Sequence, residues 1–110
     1  MSPTAFPILP TLRLEPIRPD IARPVATAAL LADPVRGGIL ALLRDGPYCV
    51  CEMAAALEVR QNNLSNHLAR LREAGLVRAG RRGGDTRRMY YERDDEACRG
   101  ALDALGEVLG

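Results

Sequence analysis

Residues 50–75 restrict the fold more than any other part of the chain. Apolar residues at helical spacing run over residues 50–57, and a second helical pattern covers residues 61–74. Only residues 58–60 separate the two patterns, which leaves room for a tight turn, and Gly75 ends the second helix. A short helix, a tight turn and a longer helix with a polar outer face are typical of a helix-turn-helix.

The first turns of the longer helix carry side chains that can read DNA. Amides make bidentate hydrogen bonds to adenine in the major groove, and hydroxyl, imidazole and guanidinium groups reach base edges or phosphates. The predicted DNA-binding residues on this helix are Gln61, Asn62, Asn63, Ser65, Asn66, His67 and Arg70. The histidine alone would count for little, because a single helical histidine is usually a structural hydrogen-bonding residue.

A hairpin pattern follows directly. Residues 76–82 and 86–92 are predicted to form two strands, and the Gly-Gly-Asp sequence at 83–85 supplies the turn. Four arginines flank the turn and are predicted to contact DNA phosphates: Arg81, Arg82, Arg87 and Arg88. A two-stranded ribbon in this position is a wing.

The remaining segments complete a mainly helical domain. Residues 20–32 and 34–45 are predicted helices, and a last helix begins after Asp94. The predicted fold is therefore a winged helix-turn-helix of four helices, a two-stranded wing and a fifth helix, over residues 20–110. Residues 1–19 hold five of the eight prolines, a density that blocks helices and sheet ladders, so they are predicted to form an extended arm.

The charge is unevenly distributed. Residues 1–59 carry five arginines and six acids, residues 60–93 nine arginines and three acids, and residues 94–110 one arginine and five acids. The net charge of +1 therefore hides a basic middle that coincides with the helix-turn-helix and the wing, as expected for a protein that contacts phosphates. The chain has no lysine, which indicates a compositional bias, so arginine itself is not evidence of a special function.

Three cysteines are an odd number and too few for a disulfide scaffold. The N-terminus lacks the basic and apolar regions of a signal peptide, and the longest apolar run is too short to span a bilayer. We therefore expect a cytoplasmic protein with free thiols.

Cys49 and Cys51 lie at the predicted start of the short helix. In a helix, residues two apart point about 200° away from each other, whereas in an extended segment they face the same side. Binding one soft ion through both sulfurs therefore favours an unwound or distorted helix start. Thiolates select soft partners such as trivalent arsenic, cadmium, lead or cuprous copper. The alternative is that both are small apolar residues with no ligand.

Together these segments resemble the ArsR/SmtB family of winged-helix metalloregulatory repressors, from about residue 31 to residue 93. The matching stretches are LADPVR at 31–36, CVCE at 49–52, NLSNHL at 63–68, LREAGLV at 71–77 and MYY at 89–91. The resemblance implies a homodimer built on the first and last helices, an operator of inverted half-sites, and repression relieved by a metal or metalloid.

The chain departs from the arsenite-responsive pattern of that family, which often has a third cysteine where Ala54 stands here. As(III) favours three sulfurs, so the predicted ligands are Cys49, Cys51 and Cys98. Cys98 also lies on an apolar stripe of the last helix, where an inert cysteine is an equally good interpretation. The zinc-type sites of the family need histidines on the last helix, and the cadmium and lead type uses cysteines from the arm; this chain has neither.

The predicted function is a repressor that binds operator DNA as a dimer and is released by As(III), or by Sb(III), with no organic cofactor. Two alternatives keep the same DNA-binding domain: sensing of Cd(II) or Pb(II), and a redox or persulfide switch that joins Cys49 or Cys51 to Cys98. A thiol-disulfide enzyme would need βαβ signals that the sequence lacks, and no other catalytic constellation is present. We therefore expect no enzymatic activity.

Overall fold

The computed structural model describes residues 18–82 and 85–110. The predicted arm, apart from its last two residues, and the two glycines of the wing turn lie outside these residues. The elements are α1 (Pro19–Leu31), α2 (Pro34–Leu42) with a 3-10 turn (Leu43–Asp45), β1 (Tyr48–Cys49), α3 (Val50–Leu57), α4 (Gln61–Glu73), β2 (Val77–Arg82), β3 (Asp85–Arg93) and α5 (Asp95–Leu109). The winged helix-turn-helix fold is confirmed.

Local signals explain where the helices begin and end. Asp33 caps α2 by accepting hydrogen bonds from the backbone N–H groups of Val35 and Arg36, at 2.8 and 3.2 Å. Glu58 adopts the left-handed conformation, with φ of 57°, and so makes the sharp turn between α3 and α4. Gly75, with φ of 80°, ends α4 in a conformation that suits glycine.

The first two helices meet at 90°. Proline at the first position of α1 is well tolerated, whereas Pro24 lies inside the helix, where a proline removes a backbone hydrogen bond. Among the described helices none is long and apolar enough to cross a membrane by itself, and only the bent pair made by α1 and α2 passes that test on length and composition.

The core lies between α2, α3, α4 and the sheet. Its buried residues are Ile39, Leu43, Met53, Leu64, Leu68, Leu71, Leu76 and Val77. Gly38 lets α2 approach α3 closely, because a Cβ atom at that position would stand 3.3 Å from a methyl carbon of Leu57. Helix α4 is thus held by apolar packing along its whole inner face.

The sheet has three strands rather than two. β1 pairs antiparallel with β3, which pairs antiparallel with β2, so β3 lies in the middle. Within the β1–β3 pair, Tyr48 stands opposite Tyr91 and Cys49 opposite Tyr90. The predicted two-stranded wing was therefore incomplete, because β1 joins its edge and connects it to the start of α3.

The first and last helices pack against each other outside the core. No residue of α5 is fully buried, although Ala97, Cys98 and Ala101 contact the core from one side. Both helices expose apolar side chains, namely Ile21, Val25, Leu31, Leu102, Val108 and Leu109, and Leu102 is 69% exposed. We call these residues the apolar face of α1 and α5.

Candidate DNA-binding face and thiol site

The recognition helix α4 separates its apolar and polar residues cleanly. Leu64, Leu68 and Leu71 are buried in the core. Most of the residues predicted to read DNA are exposed on the opposite side: Gln61, Asn62, Asn63, Ser65, Asn66 and Arg70. An exposed row of amides and a hydroxyl on a helix held by its other face is the arrangement that enters a major groove.

His67 is the exception on this helix. Its side chain is 22% exposed, and its Nε2 lies 4.0 Å from a carboxylate oxygen of Asp33. Its Nδ1 lies 3.1 Å from Nη1 of Arg36. The structure therefore directs His67 towards the start of α2 and away from the exposed amides. The signal in the sequence was its spacing, three residues after Leu64 and four before Leu71, which places it at the edge of the buried face.

The wing supplies exposed arginines beside the recognition helix. Arg81, Arg87 and Arg88 are exposed, and the side chain of Arg82 lies outside the described part of the chain. Two other arginines of the basic middle are engaged with acids. Arg78 lies 3.0 Å from Asp94 and 3.7 Å from Glu92. Arg93 lies 2.7 Å from Asp95.

The sulfurs of Cys49 and Cys51 lie 3.0 Å apart. Cys49 is the last residue of β1 and precedes α3 in an extended conformation, with φ of −84° and ψ of 167°. Cys51 lies in the first turn of α3. The sulfurs therefore face each other while the helix remains intact, and the distorted helix start that we expected is not needed to bring them together.

The two thiols differ in their surroundings. Cys49 is 3% exposed, whereas Cys51 is exposed. Burial raises the pKa of the Cys49 thiol, and its contact with Cys51 raises it further. The backbone N–H of Cys49 donates to a carboxylate oxygen of Glu52 at 2.9 Å, which anchors the start of α3.

One wing arginine lies beside this pair. Cys49 stands opposite Tyr90 in the ladder, and Arg88 is two residues from Tyr90 on the same face of β3. A hydrogen bond to Tyr90, and then the charges of Cys49 and Cys51, raise the pKa of Arg88. Arg88 was predicted only as a phosphate contact; its position also joins the thiol pair to the wing.

Cys98 occupies a different environment. Its sulfur lies 3.9 Å from the carbonyl oxygen of Leu76, and burial raises the pKa of its thiol. It lines a groove between α1 and α5 together with Thr27, Leu31, Leu40, Leu76, Arg93, Ala101, Leu102 and Leu105. Within residues 18–82 and 85–110, no three His, Cys, Asp or Glu side chains are grouped so that they could hold a metal ion. The structure therefore brings Cys49 and Cys51 together but does not add Cys98 of the same chain.

Comparisons with known proteins agree with this architecture. Residues 33–79 match the family described as "Bacterial regulatory protein, arsR family". The chain is 37% identical over 98 residues to the arsenic resistance transcriptional regulator ArsR1 of Pseudomonas putida, covering 82% of this chain and 74% of that protein. It is 46% identical over 55 residues to the arsenical resistance operon repressor of Escherichia coli, covering 49% of this chain and 47% of that repressor.

A solved structure is similar over most of the domain. Reduced HlyU from Vibrio cholerae superposes with a TM-score of 0.62 at 30% identity, over 74% of this chain and 83% of that chain. The matching family and the similar proteins are DNA-binding transcriptional regulators and not enzymes. The chain belongs to the ArsR/SmtB family of winged-helix transcriptional repressors, whose members bind operator DNA.

Proposed function

We propose that this repressor binds its operator as a homodimer and is released when trivalent arsenic, or antimony, binds Cys49 and Cys51. The observation that carries the proposal is the pair of sulfurs 3.0 Å apart at the junction of β1 and α3. Two soft donors at this distance suit a thiophilic ion. Two similar proteins are also named for arsenic resistance. Because the operator is part of the genome, we expect the protein to act in the cytoplasm.

The apolar face of α1 and α5 supports the dimer. Leu102 and Leu109 are 69% and 79% exposed, and side chains of this size are normally buried in the mature assembly when they are contiguous. A second copy placed on this face would cover both helices and leave α4 and the wing free on the opposite side. Two recognition helices related by a two-fold axis then match an operator of inverted half-sites.

The position of the thiol pair supports coupling to DNA binding. Cys49 is hydrogen-bonded into the sheet opposite Tyr90 of the wing strand, and Cys51 belongs to α3, which packs against the recognition helix. A rearrangement of the pair would therefore act on the wing and on α4 together. A coupling free energy of roughly 1–3 kcal/mol would suffice for a roughly 5- to 150-fold change in operator affinity.

The ligand set is proposed from the donors of this chain. Cys49 and Cys51 supply two sulfurs, and Cys98 would become a third only from another chain or after a rearrangement, because it lies in the groove between α1 and α5. Cd(II) and Pb(II) are alternative inducers, since they also prefer thiolates.

The test is a titration of the dimer bound to an operator duplex that has been selected with the protein itself from random sequences. We expect As(III) and Sb(III) to release the duplex at concentrations that leave it bound in the presence of Cd(II), Pb(II) or polysulfide. If Cd(II) or Pb(II) released the duplex at lower concentrations than As(III) and Sb(III), that ion would be the inducer in place of As(III). If no ion releases a duplex that binds tightly, the proposal that the protein is a sensor is contradicted, but the proposal that it binds the operator as a repressor still stands.

A thiol switch is the second candidate, because the adjacent sulfurs of Cys49 and Cys51 are placed to be joined in a disulfide by a polysulfide, which takes up the two electrons and is reduced to a shorter polysulfide and sulfide. The similarity to a structure described as reduced HlyU is consistent with it. Release by polysulfide that is reversed by dithiothreitol, without any response to As(III), would favour this candidate.

A further inference from the structure

We propose that Arg36, Asp33 and His67 form a junction that sets the angle of the recognition helix against α1, and that His67 is a positioning residue and not a base reader. This inference rests on operator binding through α4 and does not depend on which inducer is sensed. It reassigns the one predicted DNA-reading residue of α4 that the structure turns inward.

Arg36 connects three helices through one guanidinium group. It belongs to α2, its Nε donates to the carbonyl oxygen of Leu30 in the last turn of α1, and its Nη1 lies 3.1 Å from Nδ1 of His67 on α4. Hydrogen bonds from a charged donor are stronger and more directional than neutral ones, and the planar fork of arginine fixes both partners at once. The end of α1 and the middle of α4 are thus held to the same rigid group.

The chemistry of the contact fixes its direction. A guanidinium can only donate, so Nδ1 of His67 accepts this hydrogen bond. Nε2 faces Asp33 at 4.0 Å. Asp33 in turn accepts from the backbone N–H groups of Val35 and Arg36. Desolvation opposes the charge of Asp33, but these N–H groups and the charge of Arg36 lower its pKa.

The surroundings give this junction influence over the helix angle. Next to it, the boundary between α1 and α4 is an open cleft lined by Ala26, Thr27, Leu30, Arg70, Glu73 and Ala74. Little apolar packing between α1 and α4 therefore opposes a change in the angle of α1 against the core that holds α4. In the proposed dimer α1 belongs to the interface, so a change in this angle would change the distance between the two recognition helices, which must match successive major grooves about 34 Å apart.

The test compares five variants in operator affinity and in base preference, measured with operators that carry single base-pair changes. We expect His67→Ala and Arg36→Ala each to weaken operator binding roughly tenfold through loss of a charge-assisted hydrogen bond. The double variant should be no weaker than Arg36→Ala, because the loss of the guanidinium already removes the contact that His67→Ala removes. His67→Asn keeps an acceptor at the position of Nδ1 and should restore most of the affinity, whereas His67→Gln displaces its amide and should not.

A residue that is needed only for folding would not produce this pattern of affinities. All variants should keep the base preference of the parent at every operator position, and the inducer should release them at the parent's concentration. A changed preference at one base pair in His67→Asn, or single effects that multiply in the double variant, would overturn the proposal. If Arg36→Ala does not fold, Arg36→Lys serves in its place, since a lysine can reach only one of the two partners; full affinity in that variant would also overturn the proposal.

Discussion

The cysteines of this chain occupy two environments that differ in what they can influence. Cys49 and Cys51 lie where the wing strand meets α3, in the half of the domain that we propose to contact DNA. Cys98 lies in the groove between α1 and α5, in the half that we propose to form the dimer. The first environment holds two sulfurs 3.0 Å apart, and the second holds one sulfur near a backbone carbonyl.

The difference shows how position decides the role of a thiol. A ligand at the pair would act directly on the two elements that we propose to contact DNA, whereas a change at Cys98 would act through the packing of α5 on the core. Allosteric coupling requires differential contacts in two states, and the proposed route for them is the β1–β3 ladder. The following experiments separate the two environments.

The largest effect should come from the pair itself. Cys49→Ser and Cys51→Ser should each bind the operator as tightly as the parent but lose release by As(III), because a hydroxyl replaces a soft thiolate ligand. The measurement is fluorescence anisotropy of a labelled operator during titration with As(III). Normal release in both variants would exclude the pair as the sensor.

Cys98→Ser is the matched control for this experiment. We expect it to be released by As(III) within a few-fold of the parent concentration, because its sulfur is not grouped with the pair in one chain. A complete loss of release would mean that the Cys98 of a second chain, or a rearranged one, completes the site.

The second effect concerns the apolar face. Leu102→Glu should convert the dimer to a monomer, because an unpaired carboxylate in an apolar interface costs on the order of several kcal/mol. Operator affinity should fall by about two orders of magnitude or more, since one half-site remains per binding event. Analytical ultracentrifugation measures the change, with Asp103→Asn on the same helix as the control. A dimer that persists in Leu102→Glu would move the interface elsewhere.

The third effect compares two neighbouring arginines of β3. Arg88 is hydrogen-bonded to Tyr90, which stands opposite Cys49, so Arg88 lies beside the thiol pair, and Arg87 is its neighbour on the same strand. Arg87→Gln and Arg88→Gln should both weaken operator binding a few-fold and reduce the salt slope by about 0.9 for each lost phosphate contact. Only Arg88→Gln should also change the As(III) concentration needed for release. If the two variants need the same As(III) concentration for release, Arg88 is not part of the thiol environment.

Periodicity predicted most of this fold but not the relation between the pair and the wing. The bounds of α3 and α4 followed from apolar spacing and from Gly75, which are local signals. β1 is two residues long, too short to show an alternation. Its partner β3 is about 40 residues further along the chain, so the pairing of Cys49 with Tyr90 is a non-local contact that no pattern reports.

The difference between local signals and non-local contacts also explains which positions of site residues could be predicted. The exposed amides of α4 could be predicted because they oppose Leu64, Leu68 and Leu71. The inward position of His67 depends on Arg36 of another helix, and the separation of Cys98 from the pair depends on how α5 packs. Residue types and spacing indicated which chemical groups could form the site, whereas tertiary packing decided which of these groups lie close together.

The smallest expected effect is on the stability of the folded protein at alkaline pH, to which the thiols of both environments contribute. Burial raises the pKa of Cys49 and of Cys98, so the folded state holds these protons more tightly than the unfolded state. Their contribution is fully present below the ordinary thiol pKa of about 8.5 and is lost as the pH rises through the raised value. Urea unfolding between pH 7 and pH 10, under reducing conditions, should therefore show a free energy of unfolding that is flat at first and then falls by on the order of 1 kcal/mol. Cys49→Ser should reduce that fall more than Cys98→Ser does, because Cys49 is the more buried thiol. A fall that is the same in the parent and in both variants would show that neither environment holds its proton.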